Sequence, residues 1–144
     1  WAGQSTRVQA VVDCFGPTDL MKMAEFQYTD TPIDEKNIFI ALGGALDCVG
    51  DATREEMLER IRPRLEQISP IRYVKPGLAL PPFLMLHGDA DPVVLFEDTE
   101  ALYHKMTECG YDASLVRVTG AEHEGTFWSE ALNQILFDFI EKQI

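Results

Sequence analysis

The sequence predicts an α/β fold: a three-stranded parallel sheet flanked by helices, with a helical insertion after the first strand. Three observations carry this. Val8–Val12, Phe83–His87 and Ala113–Val118 are short strand-like runs, and the middle one has no polar alternation between Phe83 and Leu86, as in a strand covered on both faces. The segments between them are long enough to hold helices, so each strand returns parallel to the last by a right-handed crossover. The second and third strands both run out into a glycine followed by acidic residues, at the edge where open α/β sheets place their ligands and chemistry.

Taken in order, Val8–Val12 is β-branched and apolar, and Asp13-Cys14-Phe15-Gly16-Pro17 ends it with a Gly-Pro breaker. Thr18 or Asp19 caps a short helix reaching about Phe26. Thr29–Asp34 is a polar loop, and Glu35–Leu42 is expected as a helix with Ile38, Phe39, Ala41 and Leu42 inward, stopped by Gly43-Gly44. From Asp51 a further helix begins, with Thr53 and Glu56 at capping-box spacing and Met57, Leu58, Ile61 and Leu65 on one face. Pro63 lies inside it and is expected to kink or divide it. Ser69–Val74 is a turn with an apolar tail. Pro81-Pro82 can only enter a strand from outside, and the apolar run from Phe83 stops at Gly88, where the backbone can turn. Phe96–Cys109 reads as an amphipathic helix with Leu102, Met106 and Cys109 inward and Gly110 as its stop. Thr126–Ile144 is a final helix with Phe127, Ala131, Ile135, Phe139 and Ile140 inward. The stretch 19–80 is thus a helical, cap-like insertion in a single partial domain, 1–144.

The 144 residues make one domain by size, and 46% apolar content suffices for a core. A net charge of −12 argues against nucleic acid and anionic membrane surfaces and is read as a solubility feature. No run is long enough for a membrane span. Cys14, Cys48 and Cys109 form neither a disulfide framework nor a zinc pattern; they read as buried free thiols, in a reducing compartment such as the cytoplasm or simply out of reach, which does not fix the compartment. The first residue is Trp1 and a strand follows almost at once, so the chain reads as a piece of a longer one.

The chemistry sits on the two strand exits. Asp91 leaves the second strand, and His123 follows the third by five residues. Adjacent strands lie about 5 Å apart, so one short loop brings the imidazole to the carboxylate. The carboxylate then holds one ring nitrogen and leaves the other free to take a proton from a nucleophile. Each residue has a plainer reading: Asp91 as a turn or cap residue, His123 as a surface histidine between two acids, Asp89 as a turn former or the alternative acid. His87 ends an apolar strand and reads as a core or supporting histidine bonded to backbone, whereas His104 faces solvent. Cys14 is a buried thiol, since no glycine elbow precedes it. Glu122 and Glu124 would at most repel anionic substrates. Phe26, Tyr28 and Phe39 are core residues by default, or line an acyl or aryl pocket. No histidine pair has metal-ligand spacing on one face, and no cofactor is implied.

His87-Gly88-Asp89-Ala90-Asp91-Pro92-Val93-Val94, a helix ending at Gly110, and then Gly120-Ala121-Glu122-His123 resemble the C-terminal half of the α/β-hydrolase fold. The resemblance is to the esterase/lipase branch that includes acetyl esterases, feruloyl-type esterases and carbohydrate esterases. Phe15-Gly16-Pro17-Thr18-Asp19-Leu20 and Ser69-Pro70-Ile71-Arg72-Tyr73-Val74 also match that branch. It implies Asp91 as the acid and His123 as the base of a serine triad acting on a small ester. The family nucleophile stands in Gly-x-Ser-x-Gly on a strand-to-helix turn. Here Gly3-Gln4-Ser5-Thr6-Arg7 puts Arg7 where the second glycine belongs and runs into a strand, which makes Ser5 a poor candidate. Ser69, Ser114 and Ser129 lie in no such turn, and the oxyanion-hole loop would lie upstream. The expectation is therefore a chain with acid and base but no nucleophile, inactive alone. The alternative is a non-catalytic module that self-associates through the exposed edge of strand 8–12, or pairs there with a missing N-terminal half.

Overall fold

The computed structural model describes residues 3–5, 7–27, 37–45, 50 and 52–143. Trp1, Tyr28, the Thr29–Asp34 loop, Cys48 and Asp51 lie outside the described residues. The described chain forms two compact units, residues 17–74 and the remainder.

The sheet belongs to the unit made of residues 1–16 and 75–144. Its strands are β1 (Val11–Cys14), β2 (Phe83–Gly88) and β3 (Ala113–Val118), all parallel, in the order β1-β2-β3. Val11 pairs with Phe83 and Cys14 with Leu86; Phe83 pairs with Ala113 and Gly88 with Val118. The central strand alternates between two covered faces. Leu84 and Leu86 join Phe127 and Leu132 in one cluster, with Val12, Val116, Leu136 and Phe139 packed against it. The intervening Met85 and His87 are fully buried too, and His87 bonds to Thr99. Thr99 lies on the helix between β2 and β3 (Phe96–Glu108) and Leu132 on the last helix (Glu130–Glu141), so helices cover both faces. A strand sealed on both sides needs apolar residues at every position, which is why Phe83–Leu86 lacks alternation.

The other unit, residues 17–74, is helical: α1 (Leu20–Gln27), α2 (Ile38–Gly43) and α3 (Arg54–Ile68), followed by a 3-10 turn at Pro70–Tyr73. With these three, Phe96–Glu108 is α4 and Glu130–Glu141 is α5. Asp19 Oδ1 accepts the N–H groups of Met21 and Lys22 and so starts α1. Thr53 and Glu56 form the capping box expected of α3: the Thr53 hydroxyl accepts the Glu56 N–H, and the Glu56 carboxylate accepts that of Thr53. Met21, Ala24, Phe39, Ile40, Met57, Ile61 and Leu65 make the core. The fully buried Ser69 hydroxyl accepts the Leu20 N–H at 2.9 Å and donates to Leu65 O at 2.7 Å, and the Ile71 N–H donates to Thr18 O.

Four local readings need correction. The first strand is Val11–Cys14, not Val8–Val12: Val8 is 56% exposed, while Asp13 and Cys14 carry the pairing to β2. Asp13 tolerates the sheet because its Oδ1 takes the Gly16 N–H at 3.1 Å. α2 buries Phe39 and Ile40 and leaves Ile38, at 62%, Ala41 and Leu42 exposed. α5 buries Leu132, with Ala131 and Ile135 exposed. α3 is one helix through Pro63, which sits on its exposed side, where water can reach a carbonyl that proline cannot serve.

Candidate active site

The side chains of Asp91 and His123 meet at the C-terminal ends of β2 and β3. His123 Nδ1 lies 2.8 Å from Asp91 Oδ2. The Asp91 side chain is fully buried, and that of His123 is 27% exposed. The turn after β2 holds the carboxylate from beneath. Its Oδ1 accepts the N–H groups of Val93 at 2.8 Å and Val94 at 3.0 Å. Its Oδ2 is shared with a second imidazole, His87 Nε2 at 3.1 Å. Burial alone would raise the Asp91 pKa, but the Val94 N–H, the His123 hydrogen bond and the Val93 N–H outweigh it and hold the carboxyl below its ordinary value. Asp91 is thereby kept as an anion, the state that orients an imidazole and stabilises it when charged.

The partners settle the tautomers. Both neighbours of His87 Nε2, Asp91 Oδ2 and the Val94 carbonyl at 3.0 Å, are acceptors, so this nitrogen carries the proton. His87 Nδ1 then accepts from the Thr99 hydroxyl at 2.6 Å. On His123 the carboxylate accepts a hydrogen bond from Nδ1–H, which leaves Nε2 as the nitrogen able to receive a proton. His123 also lies beside an open cleft of about 350 Å³ lined by Pro92, Val93, Glu122, Glu124 and Gly125. A larger cleft of about 710 Å³, lined by Arg7, Val8, Pro81 and Pro82, lies where the strands begin, away from this pair.

Asp89 does different work. Its Oδ1 accepts the Gly120 N–H at 2.6 Å and its Oδ2 the Arg117 Nε–H at 2.8 Å, tying the β2 exit to the β3 exit. The Gly120 N–H, then Arg117, draw its pKa down. Gly88 allows the same approach from inside. A Cβ there would stand 2.2 Å from the Ala121 carbonyl oxygen, and the residue does not adopt a positive φ. The glycine is needed for close contact rather than for a sharp turn. Cys14 is half-buried, and burial followed by the charge of Asp13 raises its thiol pKa, the opposite of an activated nucleophile. Ser5 is exposed and accepts the Arg7 N–H. Among the described residues no hydroxyl bonds to His123 Nε2, and no group of His, Cys, Asp or Glu is arranged to hold a metal ion. Among the described residues no helix is long and apolar enough to cross a membrane.

His87, which reads in the sequence as a core or supporting histidine bonded to backbone, is fully buried and bonds to Val94 O; its further bond to Asp91 depends on a turn that folds back on the strand. Two other residues around the pair were not legible in the letters. Thr99 gives no signal beyond a hydroxyl in the first half of a helix. Phe15 sits in a motif that resembled the family, yet nothing in the sequence aims its ring at His123, 4.4 Å away between centroids.

Comparison with known proteins agrees with this geometry at the level of fold and family. A truncated carbohydrate esterase from gut microbiota is 29% identical, with a TM-score of 0.64 over 96% of this chain and 44% of that one. A bifunctional GH43-CE protein of Bacteroides eggerthii is 23% identical, with a TM-score of 0.59 over 99% of this chain and 17% of its own. The acylaminoacyl peptidase of Pyrococcus horikoshii is 15% identical, with a TM-score of 0.64 over 98% of this chain and 21% of its own; these last two show the fold alone. The chain thus spans less than half the length of each of these proteins. No curated protein matches it. The profile of the BD-FAE family matches residues 2–106, a span that includes Asp91 and ends before His123. On that match the chain belongs to the BD-FAE family, carbohydrate esterases of the α/β-hydrolase fold.

Proposed function

We propose that this chain supplies the acid and the base of a serine esterase, Asp91 and His123, and that the nucleophile and oxyanion hole come from outside its described residues. The observation that carries the reading is the 2.8 Å contact between His123 Nδ1 and a carboxylate oxygen whose partner oxygen is held by two amides. In the reaction, a serine hydroxyl attacks the ester carbonyl while its proton passes to His123 Nε2. The resulting imidazolium is stabilised by Asp91, which stays ionised, and the proton is handed on to the leaving alcohol. Water then cleaves the acyl-enzyme by the same route. The family points to acylated sugars as the substrate class.

Two measurements test this. The purified chain alone should hydrolyse an aryl acetate no faster than buffer; hydrolysis abolished by His123→Ala would show that it carries its own nucleophile. Fused behind the serine-bearing half of a BD-FAE esterase, it should release acetate from an acetylated sugar, and His123→Ala or Asp91→Asn should each cut the rate about a thousandfold or more. A cooperatively folded, active fusion indifferent to both substitutions would refute the assignment.

A second reading rests on β1, which pairs only with β2 and so presents an unpaired edge among the described residues. Such an edge recruits another strand, here that of a second copy. Sedimentation showing only monomer at micromolar concentration would refute it.

A further inference from the structure

We propose that Phe15 is a positioning residue for His123, fixing the plane of the imidazole that Asp91 holds by one atom. The proposal rests on the reading of His123 as the base. Phe15 is the one non-glycine residue among those described with a positive φ, 46°, a conformation that a bulky side chain adopts only when its surroundings impose it. The surroundings here are specific. The Phe15 N–H donates to Leu86 O at 2.8 Å, and the turn is closed by the Gly16 N–H on Asp13 Oδ1. The ring so placed lies 4.4 Å from the imidazole at an angle of 50°. Behind it stand the edges of Phe127, at 4.8 Å and fully buried, and Trp128, at 6.2 Å.

The need for such a wall follows from the two imidazoles that share Asp91 Oδ2. His87 is 0% exposed and is fixed at both nitrogens, by Thr99 on one and by Asp91 and Val94 on the other. His123 is partly exposed and has, among the described residues, a single polar attachment. The Cβ–Cγ bond and one hydrogen bond restrain the ring but leave it able to rock, and a base whose Nε2 wanders meets a nucleophile in the productive geometry less often. Glu122 and Glu124, on either side, are exposed and offer no wall. The Phe15 face supplies the second constraint.

The two imidazoles also provide the test. Proton and nitrogen NMR of the purified chain should show two slowly exchanging imidazole N–H groups, His87 Nε2–H and His123 Nδ1–H. Phe15→Ala lets the imidazole rock, which bends the Nδ1–H···Oδ2 bond and opens it to water, and so should remove the His123 signal by faster exchange while keeping that of His87, which reports that the sheet and Asp91 are intact. Phe15→Gly suits the positive φ and takes away only the ring, so it should lose the His123 signal as well, separating ring contact from backbone strain. Phe15→Tyr should retain both. If Phe15→Ala loses both signals by unfolding, the glycine variant decides by the same criterion. A His123 signal that survives in the folded glycine or alanine variant overturns the positioning role. Absence of that signal from the unsubstituted chain, with His87 present, instead overturns the acid–base pair itself.

Discussion

Gly88→Ala is a perturbation one atom in size whose effect can be worked out at the site. The added Cβ would lie 2.2 Å from the oxygen of Ala121, 2.7 Å from its carbonyl carbon and 3.0 Å from the Glu122 oxygen, all backbone atoms that no rotamer change can move. Cβ contacts below 3.0 Å are essentially never seen, so the loop must retreat by about 0.8 Å from the β2 exit. The Ala121 carbonyl also accepts the Ala90 N–H at 3.0 Å, a bond that the same retreat stretches. His123 stands two residues further along. Carried with the loop, its Nδ1 moves from 2.8 Å to roughly 3.6 Å from Asp91 Oδ2, outside hydrogen-bonding range. Overpacking of this kind costs about 1–3 kcal/mol, which in urea lowers the unfolding midpoint by about 1 M. The assay is urea unfolding followed by circular dichroism, with the His123 Nδ1–H resonance read on the folded variant. The expected result is a lowered midpoint with the His123 resonance gone and that of His87 kept. An unchanged midpoint together with an unchanged His123 resonance would refute the claim that the backbone contact at Gly88 sets the spacing of Asp91 and His123.

Two further predictions concern stability. Burial raises the Asp13 pKa in the fold, against the Gly16 N–H and the nearby His87, which lower it. As pH rises past the ordinary carboxylate value of 3.8 the unfolded chain ionises first, so the fold loses relative stability until its own, higher pKa is passed. Asp13→Asn keeps an acceptor for Gly16 and should therefore stabilise the chain at pH 7 but not at pH 3; equal effects at both, by thermal unfolding, would contradict this. In the helical unit, Ser69→Ala leaves the Leu20 N–H and the Leu65 carbonyl without their side-chain partner in a fully buried place and should cost about 1–3 kcal/mol, whereas a loss below about 0.3 kcal/mol in denaturant titration would show that water replaces the hydroxyl.

What the letters revealed depended on how many faces an element buries. β2 and β3 were legible almost to the residue, since an apolar run between Pro81-Pro82 and Gly88 has few ways to lie. β1 was read three residues early because Val8 looks more like a strand residue than Asp13 does; the burial of Asp13 is made tolerable by the Gly16 N–H, a turn contact with no local signature. α2 and α5 carry apolar residues on more than one side, so periodicity admitted several faces, and packing selected Phe39 with Ile40 and Leu132 with Leu136. Asp91 and His123 could be picked out because each follows a strand exit at short range, and the structure brings their side chains together. Thr99 and Phe15 could not: they reach His87 and His123 through contacts between elements, and only folding brings those elements together. His87 reads as a supporting histidine, but its bond to Asp91 waits on the turn after β2.

The helical unit is stitched shut where it begins and ends, Thr18 to Ile71 and Leu20 to Ser69. For the pairing of β1 with β2 this matters kinetically. An open chain of ~70 residues must otherwise be looped, and replacing it by a tether of ~16 lowers the closure cost by roughly 1–2 kcal/mol. The insertion, once folded, hands the sheet a short hinge in place of a long coil. Its length can therefore drift or its helices be exchanged for others without loosening the strand pairing that sets the β2 exit, so long as the two stitches survive.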